Sequence, residues 1–208
     1  FNGVPPLPSP TSEQRQAARA AFGLQPGDFV AGILARVEEY KGHGTLLDAA
    51  ERLAAQNRPI RLLVAGEGDY LDEVRRRSAA LPPGCVVLAG FVQEVERALW
   101  AMDVQVNAST VSETSSLSLL EGMSMGLPAL ASGCGGNPSL ILHGENGLIF
   151  PPGDGEALAG GLARLMDSPE ERAAMGRRAK EIFQARFTGE RYAKNIEKIY
   201  LDILKGDQ

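Results

Sequence analysis

The alternation of short apolar runs with longer helical patterns constrains the fold of this chain more than any other feature. Strands are predicted at 29–34, 61–65, 86–88, 104–108, 128–132 and 147–150. Helices are predicted at 13–22, 45–56, 70–81, 94–102, 116–126, 156–166, 169–187 and 190–204. Strands separated by helices in this order predict βαβ units and hence an α/β fold with a single doubly wound, Rossmann-like parallel sheet.

Composition narrows the class of protein further. A chain of 208 residues with 44% hydrophobic residues can bury a core of its own, so we predict one domain over 1–208, with 1–12 as a linker leading into it. The formal net charge of −5 argues against nucleic acid or an anionic membrane surface as the main partner. No apolar run reaches the length of a transmembrane segment, and the first ten residues lack the pattern of a signal peptide. The two cysteines, Cys85 and Cys134, form no CxxC pair, which favours a reducing, cytoplasmic compartment.

Polar and glycine residues follow the first five predicted strands, where a parallel sheet would bring them to one edge. They are Arg36 and Lys41, the turn Gly66–Gly68, Gly90 with Phe91, the loop 107–116, and the loop Gly133–Gly136. Such an edge would hold two cations, two carboxylates and a helix N-terminus. It would also hold glycine turns whose backbone a ligand could approach closely. That inventory suits a nucleoside diphosphate joined to a hydroxyl-rich group.

The helix after the fourth strand is predicted from its caps and its apolar spacing. Ser115 and Ser116 can cap its N-terminus, and Gly126 ends it. Its apolar positions are Leu117, Leu120, Met123 and Leu127. Glu121 lies among these residues, and a carboxylate close to a core needs polar partners. The helix at 45–56 is predicted to be capped by Thr45.

Several motifs, in order, resemble one enzyme family. They are GILARVEEYKG at 32–42, LVAGEG at 63–68, Glu113 and Glu121 in a Glu-x7-Glu spacing, and then EGMSMGLPALAS, GGNP and NGLIFPPGD. Together they resemble the C-terminal, donor-binding domain of retaining glycosyltransferases of the GT-B fold, family 4 or group 1 type. The resemblance covers nearly the whole chain, and Asn2–Val4 resembles the segment that enters that domain.

The resemblance implies a role for each candidate residue. Arg36 and Lys41 would contact the donor diphosphate and stabilise the leaving group, and Glu113 would approach the donor sugar, so these three form the predicted catalytic set. Glu121 would accept hydrogen bonds from ribose hydroxyls. The full predicted donor-binding set is Gly66, Gly90, Phe91, Val92, Ser115, Ser116, Leu117 and Glu121.

The same resemblance implies the partners. The donor would be a UDP or GDP sugar, with neither cofactor nor metal, in keeping with the lack of an Asp-x-Asp motif. The acceptor, a sugar or a lipid-linked molecule, would bind an N-terminal domain that these residues do not contain, and the segment 190–208 would cross back onto that domain. The chain alone would therefore bind a donor without transferring its sugar. The full-length enzyme would work in the cytoplasm, with the inner face of the membrane as one place of action.

Two positions depart from the family pattern and keep other functions open. Thr114-Ser115-Ser116 stands where the family usually has Gly-Phe-Gly, and Ser139 stands where it usually has Glu. The alternatives are one half of a sugar-nucleotide 2-epimerase, a non-catalytic nucleotide-binding module and a purely structural α/β domain. Leu71 replaces the third glycine after Gly66 and Gly68, which disfavours an NAD enzyme. His43 and His143 are predicted to be structural or exposed.

Overall fold

The described part of the chain, residues 2–111 and 113–206 of a computed structural model, contains one six-stranded sheet. Its strands are β1 (Val30–Leu34), β2 (Arg61–Ala65), β3 (Val86–Gly90), β4 (Val104–Asn107), β5 (Ala129–Ser132) and β6 (Gly147–Phe150). They lie in the order β3-β2-β1-β4-β5-β6, and each neighbouring pair is parallel. The predicted parallel, Rossmann-like sheet is confirmed.

Helices connect the strands and cover both faces of the sheet. In the described residues they are α1 (Ser12–Ala21), α2 (His43–Ala55), α3 (Leu71–Ser78), α4 (Val95–Ala101), α5 (Leu117–Met125), α6 (Asn137–Leu140), α7 (Gly155–Asp167), α8 (Pro169–Arg186) and α9 (Gly189–Gly206). A single turn of 3-10 helix, Glu39–Lys41, precedes α2. The predicted helices are all present, with shifts of a few residues at their ends.

Alternate strand residues face opposite helical layers, which is why most strand positions are apolar. Ala31 and Ile33 of β1 join the core cluster beneath α2 and α7, whereas Val30 joins the cluster beneath α1 and α4. A third cluster lies between β5, α5 and α8. The two faces are therefore both covered, and the polar loops at the strand ends are what remains open.

Three local predictions were wrong. The helix α2 begins at His43, with Gly42 as its N-cap, and Thr45 lies buried inside it instead of capping it. The 3-10 turn occupies a stretch that was predicted as a loop, and the short α6 occupies a stretch for which no element was predicted. Leu117, predicted to face the core, is half exposed. His43 is buried, and burial, with the charge of Lys41 adding to it, lowers its pKa to about 4, so the ring is neutral at physiological pH.

The helix α9 packs little against the rest of the domain. Its large apolar side chains are exposed, namely Tyr192, Ile199, Tyr200, Leu201, Ile203 and Leu204. Its start is tied to the linker, because the Val4 amide donates to the Phe187 carbonyl and the Gly189 amide donates to the Val4 carbonyl. Among the described helices, none is both long and apolar enough to cross a bilayer.

Candidate functional site

A pocket of about 300 Å³ opens where β1 and β4 lie side by side at the carboxyl edge of the sheet. The chain leaves these two strands in opposite directions, since β2 lies on one side of β1 and β5 on the far side of β4. Ligands of doubly wound folds bind in the crevice at such a reversal of strand order. The lining residues are Ile33, Leu34, Ala35, Arg36, Lys41, Val106, Asn107, Ser109, Glu113, Ser115, Ser116, Leu117 and Ser118.

A partly buried ion pair lies at the centre of the pocket wall. The Lys41 Nζ lies 2.9 Å from the Glu113 Oε2, and the two side chains are only 18% and 11% exposed. Ser109 Oγ donates to the same oxygen at 3.0 Å, and Asn107 Nδ2 donates to it at 3.4 Å. The carboxylate is therefore held by three donors, of which Lys41 follows β1 whereas Asn107 and Ser109 lie at and just after the end of β4.

These donors set the charge of Glu113. Burial by itself raises the pKa of this carboxyl, but the hydrogen bond and charge of Lys41, with the hydrogen bonds from Ser109 and Asn107, outweigh burial and leave the pKa below its usual value. Glu113 is consequently ionised at neutral pH. It can accept hydrogen bonds from a ligand's hydroxyls but cannot donate a proton.

Arg36 occupies the outer rim of the pocket. Its guanidinium donates to the Tyr40 phenol oxygen, and its side chain is 70% exposed. Glu38 lies 3.9 Å away, at the far limit of an ion pair. Arg36 is therefore free to accept an anionic ligand, whereas Lys41 already has an anionic partner.

The N-terminus of α5 forms the opposite wall. Ser116 caps it, because its Oγ accepts from the Leu119 amide at 3.3 Å. Ser115 Oγ is buried and has no hydrogen-bond partner among the described residues. The amides of this first turn and the hydroxyls beside them can donate to an anion.

Glu121 lies further along α5 and does not line the pocket. Burial, with the negative charge of Glu96 adding to it, raises the pKa of Glu121 above its usual value. The two predicted glutamates therefore differ: the fold stabilises the charge on Glu113 and opposes it on Glu121.

The remaining predicted donor-binding residues lie outside the pocket. Phe91 and Val92 line a separate depression of about 560 Å³ beside α4, and Phe91 is 74% exposed. Gly90 ends β3 with a φ of 65°. Gly66 lies against the backbone of Ala35, where a Cβ would overlap the Ala35 carbonyl, so its position allows β2 and the β1 loop to approach. The predicted site residues that line the pocket are Arg36, Lys41, Glu113, Ser115, Ser116 and Leu117. The predicted residues that do not line it are Gly66, Gly90, Phe91, Val92 and Glu121.

Two glycines of the loop Gly133–Gly136 lie very close to the backbone of the segment that carries Glu113. A Cβ at Gly135 would overlap the Glu113 carbonyl, and a Cβ at Gly136 would overlap the Thr114 carbonyl. The Gly136 amide donates to the Glu113 carbonyl at 2.6 Å. The small residues of this loop therefore leave room for the backbone that carries Glu113, and the approach of a ligand to the loop stays a prediction.

Sequence reasoning missed the polar groups that support the site. Ser109 receives a hydrogen bond at its carbonyl from Ser132 Oγ at 2.6 Å, and Asn137 Nδ2 donates to Asn107 Oδ1 at 3.3 Å. The position of Asn107 and Ser109, at and just after the end of β4, was the available signal, since strand-end side chains converge at this edge. Nothing in the sequence pattern shows which of them reach Glu113. No group of three or more His, Cys, Asp or Glu residues in the described ranges could hold a metal ion.

The strand order, with helices covering both faces of the sheet, defines a Rossmann-like α/β domain. The chain also matches the sequence profile described as "Glycosyl transferases group 1" over residues 14–182. The chain belongs to the group 1 glycosyltransferase family.

Individual relatives and solved structures are similar to this chain. The alpha-monoglucosyldiacylglycerol synthase of Acholeplasma laidlawii is 29% identical over 202 residues, covering 93% of this chain and 48% of that protein. Anabaena HepE, solved in complex with UDP-glucose, superposes with a TM-score of 0.82 at 24% identity, covering 91% of this chain and 54% of HepE. The C-terminal domain of LpcC from Francisella tularensis gives a TM-score of 0.76 at 21% identity, with 88% and 96% covered. The chain spans about half the length of the curated relatives it matches.

Proposed function

We propose that this chain is the donor-binding half of a glycosyltransferase that transfers a sugar from a nucleoside diphosphate to an acceptor hydroxyl. The observation that carries the proposal is the convergence of Arg36, Lys41 and the α5 N-terminus on one pocket at the β1/β4 reversal. HepE, which has the same fold, was solved with UDP-glucose, and this supports a nucleotide sugar as the ligand.

The proposed contacts follow from charge and position. The diphosphate accepts hydrogen bonds from Arg36, Lys41 and the first amides of α5, which can also stabilise the negative charge on the leaving group. Glu113, ionised and next to Lys41, accepts hydrogen bonds from the donor sugar. The nucleoside extends from this pocket toward Glu121 and the Phe91–Val92 depression, so that those residues contact ribose and base. No metal ion is needed in this scheme, because the cations and helix amides provide the positive charge.

The chemistry we propose is that of family 4, with retention at the anomeric carbon. Transfer requires an acceptor hydroxyl held against that carbon in a cleft that excludes water. This domain provides one side of such a cleft, and ground-state binding by that side alone does not accelerate the reaction. We propose that a second domain supplies the acceptor site, that 190–208 packs on that domain, and that the whole enzyme acts in the cytoplasm.

Calorimetry with UDP, GDP and their glucose conjugates tests the proposal. We expect the chain to bind at least one of these ligands. Because a charge-assisted hydrogen bond contributes about 1.5–3 kcal/mol, Arg36→Ala or Lys41→Ala should weaken binding by about tenfold or more. Lys194→Ala, which removes an exposed lysine on α9 paired with Glu190, is the matched control and should leave affinity unchanged.

Calorimetry and a sugar-transfer assay can each contradict the proposal. Equal affinity for the wild type and the Arg36/Lys41 double variant would place the diphosphate elsewhere. Robust sugar transfer by this chain alone, assayed with its best donor and a panel of sugar acceptors, would show that no second domain is required. Binding without any activity in a full-length protein would favour the non-catalytic nucleotide-binding module.

A further inference from the structure

Tyr40 lies between the two cations of the pocket. The Arg36 Cζ is 5.9 Å and the Lys41 Nζ is 5.5 Å from the centre of the Tyr40 ring. Both distances fall within the roughly 6 Å range over which a cation is attracted to an aromatic face. In addition, the Tyr40 phenol oxygen accepts a hydrogen bond from Arg36. One side chain therefore contacts both groups that we assign to the diphosphate.

The backbone of Tyr40 is fixed independently of those contacts. Its carbonyl accepts from the Thr110 amide at 2.8 Å and from the Thr110 Oγ1 at 3.3 Å. Tyr40 also lies in the 3-10 turn whose end forms the N-cap of α2. The ring thus projects from a backbone that is tied both to α2 and to the loop after β4.

The two cations depend on Tyr40 to different degrees. Lys41 is anchored by Glu113 at 2.9 Å, but the carboxylate nearest to Arg36 is Glu38 at 3.9 Å. An exposed arginine without a close partner samples many rotamers, and ordering it on binding reduces affinity. The hydrogen bond to Tyr40 holds the guanidinium at the pocket rim before any ligand arrives.

We infer that Tyr40 is a positioning residue for Arg36 and that its hydroxyl orients the guanidinium toward the donor diphosphate. The inference rests on the proposed function, since it assigns a supporting residue to the same site. The ring has a second effect, because its negative face lies beside two like charges and offsets part of their mutual repulsion. Tyr40 needs no direct contact with the ligand to have either effect.

A double-mutant cycle separates the hydroxyl from the ring. Tyr40→Phe keeps the ring and removes the acceptor for Arg36, and we expect it to weaken binding of the best nucleoside diphosphate about three- to tenfold. In an Arg36→Ala background the same change should alter affinity by less than about twofold, because the group it positions is gone. Tyr40→Leu removes the ring as well and should weaken binding further than Tyr40→Phe.

The controls exclude a general loss of structure. Tyr200→Phe removes a hydroxyl from an exposed tyrosine on α9 and should be additive with Arg36→Ala. Thermal unfolding of Tyr40→Phe should match the wild type, and its affinity loss should shrink at high salt together with that of Arg36→Ala.

The outcomes distinguish a failure of the Tyr40 inference from a failure of the proposed function. If the wild type binds and the Tyr40→Phe and Arg36→Ala effects add, Tyr40 does not position Arg36 and the inference fails alone. If Tyr40→Phe binds as tightly as the wild type, the inference also fails. If the wild type binds no nucleoside diphosphate, the proposed function fails and the inference fails with it.

Discussion

Glu113 and Glu121 lie on either side of the N-terminus of α5, and the fold shifts their pKa values in opposite directions. The lowered pKa of Glu113 means that its ionised form stabilises the fold above the pKa of the unfolded chain, and that this stability is lost as pH falls through the folded pKa. The raised pKa of Glu121 has the reverse sign. Its ionisation removes stability as pH rises from the unfolded pKa through the folded one.

Substituting each glutamate by glutamine should therefore change stability in opposite ways at pH 7. Glu113→Gln leaves Lys41 partly buried without its anionic partner and should lower the free energy of unfolding by about 1–3 kcal/mol. Glu121→Gln should leave the free energy of unfolding unchanged or raise it. Both differences should shrink toward pH 3.5.

Urea unfolding at pH 7 and pH 3.5 measures these differences in the free energy of unfolding, with Glu197→Gln on α9 as the exposed control. A loss of stability in Glu121→Gln as large as that in Glu113→Gln would contradict the opposite shifts.

Residue types at the site were easier to predict than residue partners. The position of Arg36 and Lys41 after β1, and of Glu113 after β4, follows from the strand pattern, because parallel strands end at one edge. The pairing of Lys41 with Glu113, and the support from Ser109, depend on side-chain directions that the segments after β1 and β4 determine together. No local pattern encodes these contacts.

The glycine loop 133–136 acts at the level of a whole element, since it places the segment that carries Glu113. Gly136 has a φ that any residue can adopt, so a side chain there is excluded by space alone. Gly136→Ala should push the Thr114 carbonyl away and disturb the Lys41–Glu113 pair. We expect the variant to lose about 1–3 kcal/mol of stability and to bind a donor sugar more weakly.

Gly160→Ala on α7 is the matched control, because nothing lies within 4 Å of the added Cβ. An alanine in the middle of a helix should stabilise the chain by about 0.5–1 kcal/mol relative to glycine. Denaturant unfolding and calorimetry of both variants check the prediction. If Gly136→Ala kept both stability and affinity, the close approach of the two loops would have no energetic consequence.

Element types were well predicted where the apolar pattern was strong. β2 and β6 have the predicted bounds, because each is a mostly apolar run that glycine or proline follows directly. The start of α2 was not predicted, because Thr45 is a good capping residue in isolation. The helix begins instead after Gly42, which packs closely against the Ala108 backbone. This contact is between residues distant in sequence, so local capping rules do not predict it.

At the scale of the molecule, the apolar face of α9 should be dispensable for the stability of this domain. Ile199 and Ile203 are 54% and 57% exposed. Ile199→Glu with Ile203→Glu should change the free energy of unfolding by no more than about 0.5 kcal/mol per site. The same double variant should bind less of an apolar dye and associate less at high concentration. Ile182→Ala on α8, where the side chain is 5% exposed, is the contrasting core substitution and should cost about 2–5 kcal/mol. A similar loss in the α9 variant would place α9 in this domain's own core.

The order of the strands also determines when this domain can fold. β1 lies in the middle of the sheet, and one of its edges pairs with β4 through Ala31 with Val104 and Gly32 with Gln105. During synthesis, β1, β2 and β3 are all made before Val104, so that edge of β1 stays open to other chains in the meantime. Parallel pairing between strands distant in sequence is also slow to form. The strand that leads to Arg36 and Lys41 is enclosed only when the segment leading to Glu113 has been made, so the same step of synthesis that closes this edge of β1 also brings Lys41 its anionic partner.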